Sequence, residues 1–308
     1  MAAMIHLGFL THVHGEGVPA GPLYRQLVEV FAAAEELGYQ SGWVAQHHLR
    51  TGHGRLPSPL VLLAAAAERT SRIHLGTAVT VLPLENPIRL AEDVLVLDAL
   101  SGGRLELGLG SGVPSPEEFA AFGRAADRRH DLYDEHLLTL TKVLDGALTD
   151  RLWGSTLRSE ALAAGARAGH GLLLGVGPAE KVQIQLADQH RAAGGNRVAA
   201  VRGVFPGPDK DIVAAELAPD VRRYLPLHVE AGWAPHDGID VHELLRLMNV
   251  QYGTPGQIVE SLRADPVTAG PATHLIVAVQ AESSTLDQAV RRLEVIAKQI
   301  APELGWTP

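Results

Sequence analysis

Eight short apolar runs, each followed by residues with helical periodicity, constrain this chain more than any other feature of its sequence. The runs cover residues 5–10, 41–46, 73–82, 105–109, 152–153, 171–174, 198–205 and 274–279. They lack the polar alternation of a half-solvated sheet, so strands built from them are covered on both faces and belong to a parallel sheet. Between them, Leu23, Leu27, Val30, Phe31, Ala34 and Leu37 make one apolar stripe ending before Gly38. Further helical stretches are expected over 59–67, 88–100, 117–148 (with a break near Gly123), 159–168, 179–193, 258–263 and 286–300. Eight β–α units in one chain predict a (β/α)8 barrel, with a doubly wound open sheet as the competitor.

The 308 residues carry a net charge of −9 and include no Cys. A chain of this length buries a substantial core, and no Pro/Ser-rich linker or fixed-period repeat divides it, so a single domain over 1–308 is expected. The acidic balance argues against a nucleic-acid partner, which requires a basic surface. Without cysteine there is no disulfide, thiolate metal site or cysteine nucleophile, and a reducing cytoplasm is the expected location. The longest purely apolar run, 60–67, falls far short of the roughly 20 residues of a spanning helix. The first residues lack the basic segment of a signal peptide, so no membrane role is expected.

In a barrel of this kind, chemistry belongs at the C-terminal ends of the strands. Thr11, His12 and His14 follow the first run, and Gln46, His47 and His48 the second. Glu85 and Asn86 follow the third, Ser111 the fourth, Ser155 and Thr156 the fifth, and Gln280 and Glu282 the eighth. Strand ends meet solvent and are often polar for that reason alone. Four histidines at two neighbouring ends are harder to explain that way.

The central text is specific. Gly76-Thr77-Ala78-Val79-Thr80-Val81-Leu82-Pro83 leads into Asn86-Pro87-Ile88-Arg89, Glu92-Asp93, Leu97-Asp98, Ser101-Gly102-Gly103-Arg104 and Gly108-Leu109-Gly110-Ser111-Gly112. Gly38-Tyr39, Trp43-Val44 and His47-His48 precede it. In this order, over roughly residues 4 to 145, the chain resembles the bacterial luciferase-like flavin monooxygenases. Beyond residue 150 the likeness thins to short pieces around Trp153-Gly154-Ser155-Thr156, 169–175 and Tyr252-Gly253-Thr254-Pro255.

The resemblance implies a TIM barrel whose mouth binds reduced FMN or, in a sister branch, a reduced deazaflavin. His47 matches the family's catalytic histidine, whose proposed role is general acid/base, apt for a group with an unperturbed pKa of about 6.5. His48, as the next residue in a strand, is expected on the opposite face. The family usually has Glu where Gln46 stands. Ala78-Val79 matches a cis peptide that supports the flavin ring. Ser155 matches a phosphate-binding position, with Thr156 and Arg158 beside it, and Arg158 is expected to replace the charge of an arginine that luciferases carry where Ser111 stands. The resemblance further implies reduced flavin delivered by a separate reductase, O2 and a small organic substrate, a homodimer formed through early helices, and a lid after the seventh strand. Residues 205–240, in that lid region, have the least family likeness.

Two other readings compete. His12-Val13-His14 has the spacing of a barrel metal hydrolase, but the lysine, histidine and aspartate needed at later strand ends are missing. A flavin-binding protein without turnover is the other. No Gly-x-Gly-x-x-Gly follows a run with an acidic residue about 20 positions on, which fits a nicotinamide-free, two-component oxygenase and the deazaflavin branch equally.

Overall fold

A computed structural model describes residues 6–15, 17–49, 54–230, 232, 234, 235 and 238–307. Strands β1 (His6–Thr11), β2 (Ser41–Val44), β3 (His74–Thr77), β4 (Thr80–Val81), β5 (Leu105–Gly110), β6 (Leu152–Ser155), β7 (Gly171–Leu174), β8 (Val198–Pro206), β9 (Val250–Gly253) and β10 (His274–Ala278) are all paired in parallel. The order β10-β1-β2-β3-β5-β6-β7-β8 closes through β10, which pairs with both β1 and β8. The sheet is therefore the expected closed eight-stranded barrel and not an open one. Each of the eight apolar runs marks one strand position of the barrel; Ile5, at the start of the first, lies outside the described residues.

Two features depart from the simple pattern. The third run is divided by the Ala78-Val79 peptide into β3 and β4, and β4 resumes the pairing with β5. Strand β9 was not expected. It exists because β8 outruns its barrel neighbour: Ala199 to Gly203 pair with β10, and Gly203 to Pro206 pair with β9.

Inside the barrel, two indoles fill the space. Trp43 and Trp153 meet edge to face, with ring centroids 5.8 Å apart. Glycines opposite them make the room, because a Cβ on Gly76 would strike the Trp43 ring and one on Gly171 the Trp153 ring. Outside run helices α1 (Ala20–Glu36), α2 (Pro59–Arg69), α3 (Pro87–Ser101), α4 (Pro116–Ala121), α5 (Arg129–Leu144), α6 (Ser159–Arg167) and α7 (Glu180–Ala192). The stripe Leu23, Leu27, Val30, Phe31 and Ala34 of α1 is buried, as its spacing predicts. The expected break near Gly123 separates α4 from α5.

Between β8 and β10 the chain adds helices α8 (Lys210–Glu230), α9 (Val241–Leu247) and α10 (Pro255–Ala264), and α11 (Leu286–Val295) closes the fold. Helix α8 carries Pro219 and Pro226 in its interior, which masks it in the sequence. The segment 230–242, whose two glycines, proline and charges predict a loop or insertion, starts on the last residue of α8 and runs into α9; residues 231, 233, 236 and 237 lie outside the described residues. Leu217, Val221 and Leu225 of α8 pack with Leu244, Leu245, Met248, Phe205 and Tyr252 into an apolar cluster of their own. That cluster is the body of an insertion after the seventh barrel strand.

At the N-terminal end of the barrel, His274 stacks on His6 at 4.6 Å and meets the edge of Trp153 at 4.9 Å. Burial, with the nearby His6, Arg197 and His74, pushes its pKa down to about 3. His170 is held at about 4 by burial, with Arg197 and His190 adding to the effect. Both groups bind a proton more readily when unfolded, where their values return to about 6.5. Stability is therefore intact above pH 6.5 and falls as pH drops below it, down towards the folded values. Moving from pH 7.5 to 5.5 is expected to remove about 1.4 kcal/mol per histidine, about 3 kcal/mol together. Denaturant titrations at the two pH values check this, and equal unfolding free energies would refute it.

Candidate active site

A cavity of about 410 Å³ opens at the C-terminal end of the barrel. Its floor is made of small residues at strand ends: Ala45 after β2, Ala78 and Val79 between β3 and β4, Gly203 of β8, and Ala278 at the end of β10. The Ala78-Val79 peptide bond is cis. Gly110 of β5 lies against Val79 so closely that a Cβ there would overlap the valine side chain. The result is an apolar wall of small residues beside the cavity.

One side of the cavity is rich in imidazole. His12, His14, His47 and His48 all line it. The His47 ring lies 5.3 Å from that of His12, and His12 stacks on His14 at 5.8 Å. His47 is fixed by its own backbone, whose N–H donates to the Leu56 carbonyl at 3.0 Å, and by Gly54, whose missing Cβ leaves room for the imidazole. His14 is fixed by Gln280, which accepts from the His14 N–H and donates to its carbonyl while also accepting from Thr11 Oγ1 at 2.5 Å. Gln280 thus joins the ends of the first and last barrel strands.

His48 does not turn away from its neighbour as the alternation of a strand predicts. Strand β2 ends at Val44, so residues 45–48 follow a loop path that brings both imidazoles to one cavity. Burial lowers the His48 pKa, partly offset by the carboxylates of Glu118 and Glu85. Its Nε2 is buried at the cavity without a hydrogen-bond partner.

Gln46 is buried and spans three segments. It accepts from the Val81 N–H at 2.7 Å and donates to the Pro57 carbonyl at 3.0 Å and the Glu85 carboxylate at 2.6 Å. An amide can donate and accept at once, and a carboxylate here would face Glu85 as a like charge. Gln46→Glu is expected to lower stability by about 1–3 kcal/mol at pH 8, and by less at pH 5, where a shared proton restores the bond. Unfolding curves for variant and wild type at both pH values give the comparison, and an equal loss at both would sink this account.

The remaining predicted residues lie off the cavity lining. Ser111 follows β5, and Ser155 ends β6 beside Gly110 in the β5–β6 register. Thr156 Oγ1 accepts from the Arg158 N–H at 3.1 Å. The Arg158 guanidinium turns outward to Asp134 of α5 in a two-bond pair of 3.1 and 2.8 Å, which raises its pKa. The pair engages two of the five guanidinium N–H donors, so the charge expected to replace a luciferase arginine is already shared with a carboxylate.

Sequence reasoning missed the lid wall. Phe205, Leu217, Val221 and Met248 provide apolar surface, and Asp220, Tyr224 and His228 stand at helical spacing on α8. The spacing i, i+4, i+8 was available, but two prolines obscured the helix that gives it meaning. His228, like His48, has its pKa lowered by burial. Among the described residues, no three His, Asp or Glu side chains are grouped as metal ligands.

A flavin fits this chemistry. The cavity wall is apolar and built from small residues, and the buried Nε2 of His48 is a polar atom without a hydrogen-bond partner. The family model for luciferase-like monooxygenases matches residues 4–273. The 4-hydroxyprotoasukamycin monooxygenase of Streptomyces nodosus subsp. asukaensis is 39% identical over 140 residues, 45% of this chain and 37% of that relative. The F420-dependent glucose-6-phosphate dehydrogenase of Amycolatopsis mediterranei (strain U-32) is 41% identical over 103 residues, 32% of this chain and 31% of that relative. The matches thus span well under half of these relatives' length. Among solved structures, the oxygenating constituent of 3,6-diketocamphane monooxygenase from Pseudomonas putida, a type II Baeyer-Villiger monooxygenase in complex with FMN, matches with a TM-score of 0.80. It is 19% identical and covers 97% of this chain and 98% of its own, a likeness of fold.

Proposed function

We propose that this chain, which belongs to the luciferase-like monooxygenase family, is a flavin-dependent monooxygenase that takes reduced FMN from a separate reductase and oxygenates a small organic substrate with O2. The observation that carries the reading is one cavity at the C-terminal end of the barrel that the small residues Ala45, Ala78 and Ala278 line together with His47. Reduced FMN, when bound, supplies the two electrons that activate O2, one oxygen atom going to substrate and the other to water. The protein's own residues do the rest. The Ala78-Val79 backbone would prop the ring, and Ala45 and Ala278 leave it space. The hydroxyls of Ser155 and Thr156, with Ser111 at the adjoining strand end, would hold the phosphate at the rim, and Arg158 would join them through N–H donors that Asp134 does not take. His47 would hold or move a proton at its imidazole. The α8 lid keeps water from the reacting atoms.

The similarity to an F420-dependent dehydrogenase keeps a deazaflavin reading alongside this one. Anaerobic titration with reduced FMN and with reduced deazaflavin separates them. Tight binding of FMN alone, followed by O2 uptake coupled to product, supports the monooxygenase; tight binding of deazaflavin alone reassigns the reaction to hydride transfer without oxygen. Binding of neither defeats the flavin assignment. A homodimer through the early helices is part of the same proposal, supported by Val61 of α2 and Ile88, Val96 and Leu100 of α3, all more than half exposed apolar side chains. Sedimentation at micromolar concentration tests it, and a strictly monomeric chain rejects it.

A further inference from the structure

The lid side of the cavity holds a carboxylate whose arrangement points to the substrate. Glu282 follows β10 and its side chain is only 5% exposed. One carboxylate oxygen, Oε1, is paired with Arg223 of α8. The other, Oε2, is buried with no hydrogen-bond partner, and Glu282 itself lines the cavity. The neighbouring acid differs: Asp220 is also buried, but its Oδ2 accepts from both the N–H and the hydroxyl of Ser283. A buried carboxylate oxygen with nothing to accept from carries a desolvation penalty that a bound ligand can remove.

We propose that Glu282 is a substrate-recognition residue, and that the substrate is a neutral, mainly apolar molecule presenting one hydroxyl to Oε2. The inference rests on the flavin reading for the position of the reacting centre, and it deepens that reading by naming the substrate class. The apolar body is set by Phe205, Leu217, Val221 and Met248, which line the same cavity as Glu282. The hydroxyl is set by the donor that Oε2 lacks. Neutrality follows from the charges: Arg223 already balances Glu282, so a second cation would face the guanidinium, and an anion would face Glu282, Asp220 and Glu118 together.

The probes are 4-butylphenol, its methyl ether, 4-butylbenzoate and 4-butylbenzylamine, titrated calorimetrically into the full chain with and without FMN. The phenol is expected to bind at least about tenfold more tightly than the ether, as one hydrogen bond to a charged acceptor provides. The benzoate and the ammonium should both bind more weakly than the phenol. In Glu282→Ala the phenol–ether gap should collapse to within twofold, while FMN affinity stays as in wild type. In Glu282→Gln, which keeps shape and an acceptor oxygen, the gap should survive in part. A phenol–ether gap that is absent in wild type, or that persists undiminished in Glu282→Ala, overturns the proposal, as does tightest binding of the ammonium or the benzoate. These outcomes are read separately from FMN binding. Failure of the flavin to bind defeats the functional reading, whereas normal flavin binding without discrimination among the probes defeats this inference alone.

Discussion

Asp265→Ala is expected to lower the free energy of unfolding by about 3–5 kcal/mol, the cost of leaving one member of a buried pair without its partner. The charge left behind would be Arg202, in mid-strand on β8 and 0% exposed. Asp265 binds it through Oδ2 to Nε at 2.5 Å and Oδ1 to Nη2 at 3.2 Å, and Gln183 of α7 accepts from Nη1 at 3.0 Å. The same carboxylate accepts from the N–H groups of Val267 and Thr268, so it also shapes the turn after α10. Burial acts to raise the Asp265 pKa, but the Arg202 bonds and charge and the two backbone donors outweigh it, and the net shift is downward. Its stabilising contribution is therefore present above the ordinary carboxylate range and is lost as pH falls through its depressed folded value. The double variant Arg202→Met, Asp265→Asn should recover most of the loss, since it removes the stranded cation and keeps an acceptor for the turn. Denaturation followed by tryptophan fluorescence measures all three proteins; a loss below 1 kcal/mol in the single variant would show that water or a neighbour rescues the guanidinium.

How much of this was written legibly in the sequence depends on how local each cause is. Parallel barrel strands are buried on both faces, so they appear as uninterrupted apolar runs, and all eight could be located. Strand β9 pairs only with the projecting end of β8, and its residues Val250, Gln251, Tyr252 and Gly253 look like a turn approaching Thr254-Pro255. Helix α8 was lost for a related reason: its two prolines are breakers by local rule, and packing against α9 and β9 overrides that rule. Side-chain direction was the hardest to read. Arg158 can reach either the rim or α5, and only the position of Asp134 decides. For His48 the misleading premise was strand alternation, which ceases to apply where the backbone leaves the sheet.

His47→Ala is expected to lower the rate of product formation by a factor of about 10²–10⁴, the range for removing a positioned general acid or base, while reduced FMN still binds within about twofold of wild type. The two effects separate because ring support is assigned to the Ala78-Val79 backbone and the small residues of β2 and β10, none of which depends on the imidazole. His47 nevertheless belongs to a connected set: its ring lies 5.3 Å from His12, and its backbone is tied to Leu56. A packing role alone would predict that His47→Asn, similar in breadth and still able to hydrogen-bond, restores activity. Proton transfer predicts that it does not, because an amide does not titrate in the working range. In the second case wild type should show a titration in its pH–rate profile that is missing from His47→Asn, and oxygen uptake should continue while product falls, as activated oxygen is released without reaching substrate. If His47→Asn instead retains both full rate and an unchanged pH profile, the proton-handling role passes to another of the cavity histidines. His48 would then be first in line, since it lines the same cavity, its Nε2 has no hydrogen-bond partner, and burial lowers its pKa, which favours the neutral imidazole.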